Sequence, residues 1–304
     1  MNDVIIQTTG LTKDYGKCRG IFDINLEIHR GEVFGFIGTN GSGKTTTIRN
    51  MMGFIRPDRG NSVINGLDSW NSSADIMKNV SYVPGEIAFP ALKTGTEFLK
   101  SQAKYLGVTD FKYMNHVIEL LQLDPTANLK RMSKGMKQKT AIVAALMGEK
   151  EILVLDEPTT GLDPLMRESF LELIREEKQK GHTIFMSSHI FEEIEAVCDR
   201  VSMIKNGHII DTTSLYDLRH PSTKNFIIEF KQKEDQEQFI ENRLFAITCT
   251  EINTCTVQCS VDQLDALFNI LKNYQITNLR EIHLSLQQQF MRAYKEGIAH
   301  NGNK

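Results

Sequence analysis

A glycine-rich segment with one lysine and several threonines follows a short apolar run near the start of the chain. It fits the pattern G-x-x-x-x-G-K-[ST] and comprises Gly38, Thr39, Asn40, Gly41, Ser42, Gly43, Lys44, Thr45 and Thr46. Glycines allow successive backbone N–H groups to surround phosphate oxygens, because no Cβ stands in the way. In such a P-loop Lys44 would reach the β- and γ-phosphates of a nucleotide, and the Thr45 hydroxyl would bind Mg²⁺. The segment therefore predicts a phosphate-binding loop.

The residues on either side of this loop favour that interpretation over a glycine-rich turn with a chance lysine. Residues 32–37 predict a buried strand that enters the loop, and residues 45–52 predict a helix that leaves it. The N-terminal end of a helix carries a partial positive charge, so this arrangement would direct it at bound phosphates. The sequence thus predicts a nucleotide site at a strand–loop–helix junction.

Two carboxylates, Asp156 and Glu157, follow the apolar run 152–155 and precede Pro158. At the end of a buried strand such a pair needs a cation or a proton, because burying uncompensated charge is costly. In a P-loop protein the first carboxylate would hold Mg²⁺ through its waters. The second would polarise a water for in-line attack on the γ-phosphate. The alternative is an acidic pair in solvent at a strand end, and the P-loop favours the catalytic interpretation.

Four further short motifs resemble those of one family of nucleoside triphosphatases. Residues 132–136 (M-S-K-G-M) resemble the L-S-G-G-Q signature of the ATP-binding cassette (ABC) ATPases. Tyr15 matches the aromatic residue that stacks on adenine in that family, and residues 161–163 (G-L-D) match its D-loop. His189, after an apolar strand, matches the switch histidine. The motifs follow the family's order, and the resemblance covers about residues 4–218.

This resemblance implies an α/β P-loop NTPase fold. The expected ABC nucleotide-binding domain has a RecA-like core, an antiparallel β subdomain and a helical subdomain at about residues 90–150. The resemblance also implies ATP hydrolysis, with ATP and Mg²⁺ bound. Lys44, Glu157 and His189 are the implied catalytic residues, and Thr45 and Asp156 are the implied metal ligands. Besides the P-loop, the implied nucleotide contacts are Tyr15, Ser133, Gly135 and Asp163.

The signature segment points to a site shared between two subunits. Ser133 and the N–H of Gly135 stand at a helix start, which suits anion binding, but they are far along the chain from the P-loop. In ABC ATPases these groups bind the γ-phosphate held by the other subunit. The resemblance therefore implies a head-to-tail homodimer, or a pair with a paralogous ABC subunit, with ATP at the two-fold interface. His189 would contact the γ-phosphate and orient Glu157, the alternative being a structural histidine.

The chain departs from the family pattern in two places. Lys134 and Met136 stand where glycine and glutamine are usual, and Lys134 would either add positive charge near the partner's ATP or face solvent. Gly85 stands where the family has the Q-loop glutamine, which touches Mg²⁺ or the attacking water and relays nucleotide state to the membrane partner. One hypothesis is that Glu86 or a water takes over the role of this glutamine. The alternative is that the nucleotide state is relayed to the membrane partner through the loop backbone and neighbouring helices alone.

The pattern of elements changes after residues 220–223, which predict a linker. Residues 1–220 alternate apolar runs with helical patterns, as α/β domains do, and form the predicted ATPase domain. Residues 221–304 predict a small α+β domain without chemistry-bearing motifs, whose strands include one at residues 276–283. We expect this domain to stabilise the dimer or contact a partner, with ligand sensing as the alternative.

The composition of the chain limits the partners and the cellular location that can be expected. The formal net charge of -3 gives no reason to expect nucleic acid, and no apolar run approaches the ~18 residues that span a bilayer. The five cysteines form no CxxC pair and are read as reduced thiols. A chain with one cassette resembles the cytoplasmic motor of a transporter more than the soluble ABC ATPases of translation or DNA repair. We expect a peripheral subunit on the cytoplasmic face of the cell membrane, bound to separate permease subunits. The departures and the small C-terminal α+β domain together resemble the ATPases of bacterial drug, antibiotic-peptide or ion exporters. The alternative is an importer of small solutes, since such importers also use single-cassette subunits.

Overall fold

The computed structural model describes residues 3–241, 244–282 and 285–291, without the side chain of Thr250. These residues form two units, one that ends at Leu215 and one that spans Tyr216–Met291. His283, at the end of a predicted strand, and residues 292–304 of the predicted second domain lie outside the described residues. Within the described part of the chain, no helix has the length and apolar character needed to cross a membrane.

The described residues of the first unit form ten strands and seven α-helices. In chain order they are β1 (Val4–Asp14), β2 (Gly20–His29), β3 (Val33–Ile37), α1 (Lys44–Met51), β4 (Arg59–Ile64), β5 (Leu67–Asp68), α2 (Ser73–Asn79), β6 (Val80–Val83), α3 (Gly95–Leu106), α4 (Lys112–Leu120), α5 (Lys134–Leu146), β7 (Ile152–Asp156), α6 (Pro164–Gln179), β8 (Thr183–Ser188), α7 (Phe191–Val197), β9 (Arg200–Lys205) and β10 (His208–Ser214).

A six-stranded sheet in the order β10-β9-β3-β8-β7-β6 forms the core of this unit. Its strands are parallel except β10, which pairs with β9 in antiparallel fashion. Every residue of β3, β7 and β8 is buried. Continuous apolar runs are what a central parallel strand with both faces covered requires. The carboxyl ends of these three strands, where the P-loop, Glu157 and His189 follow, consequently meet at one edge of the sheet.

An antiparallel sheet and a group of helices complete the first unit. The sheet has the order β2-β1-β4-β5, and apolar residues alternate along β2, so that one face joins the core around α1. The helical subdomain comprises α3, α4 and α5. Thr94 caps α3 and Ser133 caps α5, each accepting a hydrogen bond from a backbone N–H three residues further along. These two polar residues fix where the helices begin.

The second unit is a four-stranded antiparallel sheet with the order β12-β13-β11-β14. Its elements are α8 (Leu215–Arg219), β11 (Thr223–Phe230), α9 (Lys233–Glu241), β12 (Ala246–Glu251), β13 (Thr254–Ser260), α10 (Leu264–Leu271), β14 (Ile276–Ile282) and α11 (286–291). The succession β-α-β-β-α-β with this strand order is the ferredoxin-like arrangement. The predicted helix after β13 starts as a 3₁₀ turn over Val261–Gln263, and Ser260 and Gln263 form a capping box at this start.

Candidate active site

The P-loop joins β3 to α1 as the sequence predicts. Gly43, directly before α1, has a φ of 115°, and a Cβ there would lie 2.8 Å from Ile21 Cγ2. A Cβ on Gly38 would lie 2.5 Å from the carbonyl oxygen of Ile204. Both positions therefore require glycine. No side chain caps α1, so the N–H groups of its first turn remain available to an anion.

Lys44 is buried at the start of α1 and its ammonium group is surrounded by oxygens. Only 4% of its surface is exposed. Nζ donates to the carbonyl oxygens of Gly38 at 2.7 Å and Thr39 at 3.2 Å, and it lies 3.0 Å from Glu157 Oε1. A buried positive charge held at the mouth of the loop is what a triphosphate site requires.

Asp156 ends the central strand β7 and is fully buried. Its Oδ1 accepts a hydrogen bond from Ser187 Oγ at 2.7 Å, whereas Oδ2 is buried without a hydrogen bond among the described residues. Burial raises the pKa of this carboxyl group, while the Ser187 hydroxyl and the nearby Thr45 side chain oppose the rise. A buried, incompletely satisfied carboxylate beside a threonine hydroxyl is a fitting set of hard oxygen ligands for Mg²⁺.

Glu157 follows directly and contacts both other residues predicted to be catalytic. Its Oε1 lies 3.0 Å from Lys44 Nζ, and its Oε2 lies 3.2 Å from His189 Nδ1. Thr160 Oγ1 also donates to Oε2, at 3.3 Å. Burial raises the pKa of Glu157, but Lys44 above all, with His189 and Thr160, reverses this, so that the pKa lies below its ordinary value. The carboxylate is therefore held ionised, as a water-activating group must be.

The backbone of Glu157 adopts an unusual conformation. Its φ is 48°, in the left-handed region that residues other than glycine seldom occupy. Its N–H donates to both the carbonyl oxygen and the Oγ of Ser187, at 3.2 and 3.0 Å. These contacts with the neighbouring strand hold the strained turn and direct the side chain toward Lys44. Local strain of this kind concentrates at functional sites.

An open cleft of about 1250 Å³ runs along these residues. Eight residues predicted from the sequence line it: Tyr15, Asn40, Gly41, Gly43, Lys44, Thr45, Thr46 and Glu157. Gly85 and Glu86 line it as well, and a Cβ on Gly85 would lie 3.2 Å from Asp156 Oδ2. Glycine at this position thus keeps the loop backbone close to the carboxylate predicted to hold the metal.

Several cleft residues had no signal in the sequence. Arg19, Phe22, Arg49 and His208 line the cleft, and the rings of Phe22 and His208 stack with centroids 5.2 Å apart. The sequence identifies Asn206-Gly207 as a turn, but it does not show that this turn lies beside the P-loop. The Gly207 N–H donates to Ser42 O at 2.8 Å, so the β9–β10 turn is fastened to the loop.

Three predicted nucleotide contacts outside the P-loop, Ser133, Gly135 and Asp163, are not among the residues that line the cleft. The side chain of Ser133 caps α5 and that of Asp163 caps α6. Each accepts a hydrogen bond from a backbone N–H in the first turn of its helix. Gly135 packs against the D-loop, and a Cβ there would lie 2.6 Å from the carbonyl oxygen of Gly161. The signature and the D-loop are therefore joined in one surface. Lys134 is exposed, lies over Gly161 and lines the cleft of its own chain.

Known proteins with similar sequences identify the family of this chain. A family model described as ABC transporter matches residues 21–160. The bacitracin transport ATP-binding protein BcrA of Bacillus licheniformis is 36% identical over 78% of this chain and 77% of that protein. The chain belongs to the ABC transporter ATP-binding proteins. This ABC protein is also 33% identical to the linearmycin resistance ATP-binding protein LnrL of Bacillus subtilis, over 78% of each chain.

A solved structure gives the same answer. The ATP-binding subunit of an ABC transporter superposes with a TM-score of 0.63 at 31% identity, over 71% of this ABC protein and 92% of that chain. The α/β fold predicted from the sequence is thereby confirmed, as are ATP binding and ATP hydrolysis. The role is that of a transporter ATPase, and the alternative role in translation or DNA repair is not supported. Proteins of this family pair with membrane permeases and dimerise.

Proposed function

We propose that this protein is the ATP-driven motor of an exporter. The observation that carries the proposal is the chain of contacts from Lys44 through Glu157 to His189, with separations of 3.0 and 3.2 Å. Lys44 and Glu157 line the cleft, and His189 contacts Glu157. Lys44 would bind the β- and γ-phosphates, Glu157 would orient and deprotonate the attacking water, and His189 would hold Glu157 and contact the γ-phosphate. Tyr15, half exposed at the cleft, would stack on the adenine.

Mg²⁺ is the proposed cofactor of this site. Thr45 and Asp156 would hold it, since Thr45 lines the cleft and Asp156 Oδ2 has no hydrogen-bond partner among the described residues. When bound, the ion would neutralise charge on the phosphates. The ion would also compensate the buried negative charge of Asp156.

Asp156→Asn should raise the Mg²⁺ concentration for half-maximal ATP hydrolysis by about 10- to 100-fold. The amide keeps the shape and the Ser187 hydrogen bond but removes the negative charge. Titration of ATPase activity with free Mg²⁺ measures the shift, with the exposed Asp110→Asn as control. An unchanged titration curve would rule out Asp156 as a metal-holding group.

We also propose that two copies complete each site. Ser133, Gly135 and Asp163 lie outside their own cleft, on a surface where Gly135 packs against Gly161. A head-to-tail partner would place this surface over the nucleotide and contribute the missing phosphate contacts. ATP would then hold the dimer together, and hydrolysis would release it.

The remaining parts of the chain are assigned as follows. Residues 1–220 would form the ATPase domain, and residues 221–304 would form a separate domain that supports dimer or complex assembly. The ferredoxin-like sheet of Tyr216–Met291 supports a separate domain, because it has a hydrophobic core of its own that includes Phe226, Ile228 and Phe239. The protein would sit on the cytoplasmic face of the membrane through permease subunits.

The transported class is proposed from the similarity to BcrA and LnrL, which are proteins of bacitracin transport and linearmycin resistance. Source cells that carry Glu157→Gln should become more sensitive to at least one antibiotic in a panel containing bacitracin, linearmycin and other peptide antibiotics. Cells carrying the exposed control Glu168→Gln should behave as wild type. Growth inhibition measures both. Unchanged sensitivity across the panel would contradict export of this class. If the purified wild-type protein hydrolyses ATP and Glu157→Gln does not, the ATPase assignment would remain intact.

A further inference from the structure

A buried carboxylate, Glu193, lies between the two loops that carry Glu157 and His189. It stands in the first turn of α7 and exposes only 3% of its surface. Its Oε2 accepts hydrogen bonds from Thr159 Oγ1 and from Ser188 Oγ, both at 2.9 Å. One oxygen atom therefore joins the loop after β7 to the end of β8.

The Thr159 side of this connection leads directly to Glu157. Thr159 is 4% exposed and belongs to a series of tight turns. The Thr160 N–H donates to Glu157 O at 3.1 Å, and the Leu162 N–H donates to Thr159 O at 3.0 Å. Since these turns leave little freedom, the position of the Thr159 hydroxyl constrains the backbone of Glu157.

The Ser188 side leads in the same way to His189. Ser188 directly precedes His189 and is 2% exposed. While its Oγ donates to Glu193, it accepts the N–H of Ile190 at 3.0 Å. The hydroxyl is thus tied to the residues on both sides of the histidine, and Glu193 anchors the hydroxyl.

The burial of Glu193 is costly for folding. Burial raises the pKa of its carboxyl group, the Thr159 and Ser188 hydroxyls oppose this, and Oε1 is buried without a hydrogen bond among the described residues. An unsatisfied buried polar atom destabilises a fold, whereas an apolar side chain of similar size would fill the same space without that penalty. This cost is compensated by a connection, because Glu193 joins the loop after β7 to the end of β8.

We propose that Glu193 is a positioning residue for ATP hydrolysis. By holding Thr159 and Ser188 on one oxygen, it sets the separation of Glu157 from His189, which is 3.2 Å between Oε2 and Nδ1. Glu193 does not line the cleft and acts on the nucleotide only through the two loops. The inference rests on the proposed roles of Glu157 and His189.

The test compares four variants of the purified full-length protein by steady-state ATPase kinetics. Glu193→Ala removes both hydrogen bonds, and Glu193→Gln keeps an acceptor oxygen at the same place. Glu192→Ala, an exposed carboxylate in the same helical turn, is the matched control. Glu157→Gln is the reference for loss of the chemical step.

Glu193→Ala should lower kcat by about 10- to 100-fold, because a displacement of about 1 Å at the reacting groups has an effect of that size. KM for ATP should stay within about twofold, since the phosphate contacts are untouched. Glu193→Gln should recover kcat to within about threefold of wild type, and Glu192→Ala should match wild type. If Glu193→Ala does not fold, Ser188→Ala must show the same split, a lower kcat with unchanged KM.

The outcomes separate this inference from the function on which it rests. Equal kcat for Glu193→Ala and Glu192→Ala, with Glu157→Gln inactive, would overturn the role of Glu193 alone. A Glu193→Gln variant as slow as Glu193→Ala would also overturn it, because the acceptor would then not suffice. An active Glu157→Gln variant would instead overturn the proposed catalytic site itself.

Discussion

Glu157→Gln is expected to lower the rate of ATP hydrolysis by about 10²- to 10⁴-fold, the usual contribution of a general base. The amide preserves the length of the side chain and its contact with His189 but cannot accept the proton of the attacking water. ATP affinity should change little, because Lys44 and the P-loop amides remain. Phosphate release measured at saturating Mg²⁺ and ATP gives the rate, and the exposed Glu168→Gln serves as control.

The same variant should accumulate as a dimer when ATP and Mg²⁺ are present. If ATP joins two subunits and hydrolysis separates them, blocking hydrolysis leaves the joined state in place. Size-exclusion chromatography with light scattering should show twice the monomer mass with ATP and the monomer mass without it. A monomer under both conditions would contradict the composite site formed with Ser133 and Gly135. A Glu157→Gln rate close to that of wild type would contradict the role of Glu157.

The grouping of Lys44 with Glu157 was predictable, because phosphate binding and water activation require particular residue types at close spacing. Phosphate binding needs glycines and a lysine within one loop, and the Asp156–Glu157 pair stands out because buried carboxylates need a reason. The contacts that arrange these groups left no local trace. Nothing in the spelling of Ser188, Glu193 and Thr159 indicates that one carboxylate oxygen accepts both hydroxyls, since only the pairing of β7 with β8 brings them together.

The elements were likewise more predictable than their arrangement. Continuous apolar runs identified β7 and β8, and capping residues such as Ser133 marked helix starts. The strand order of the ferredoxin-like sheet depends on which faces fit together, a property of pairs of elements rather than of one segment. For the same reason Phe22 and His208 were missed, because a residue on β2 and one on β10 become cleft neighbours only after folding.

Lys44→Ala is expected to weaken ATP binding by about 30-fold or more, since truncating one partner of a buried charged pair costs about 2–5 kcal/mol. The ammonium is 4% exposed and is surrounded by the carbonyl oxygens of Gly38 and Thr39 and by Glu157. Alanine leaves those oxygens facing the triphosphate without a positive charge. Equilibrium binding of ATP measures the loss, and the exposed Lys130→Ala provides a matched control.

The same substitution should also impair the chemical step, for a reason visible in the pKa of Glu157. Burial raises that pKa, and Lys44 is the main group that brings it below the ordinary value. Without Lys44 the pKa should rise, so a larger fraction of Glu157 is protonated at neutral pH and cannot activate water. Residual hydrolysis should therefore increase with pH more steeply than in wild type. Wild-type affinity for ATP in Lys44→Ala would refute the P-loop assignment. Weak binding with a wild-type pH profile would refute the electrostatic link to Glu157 alone.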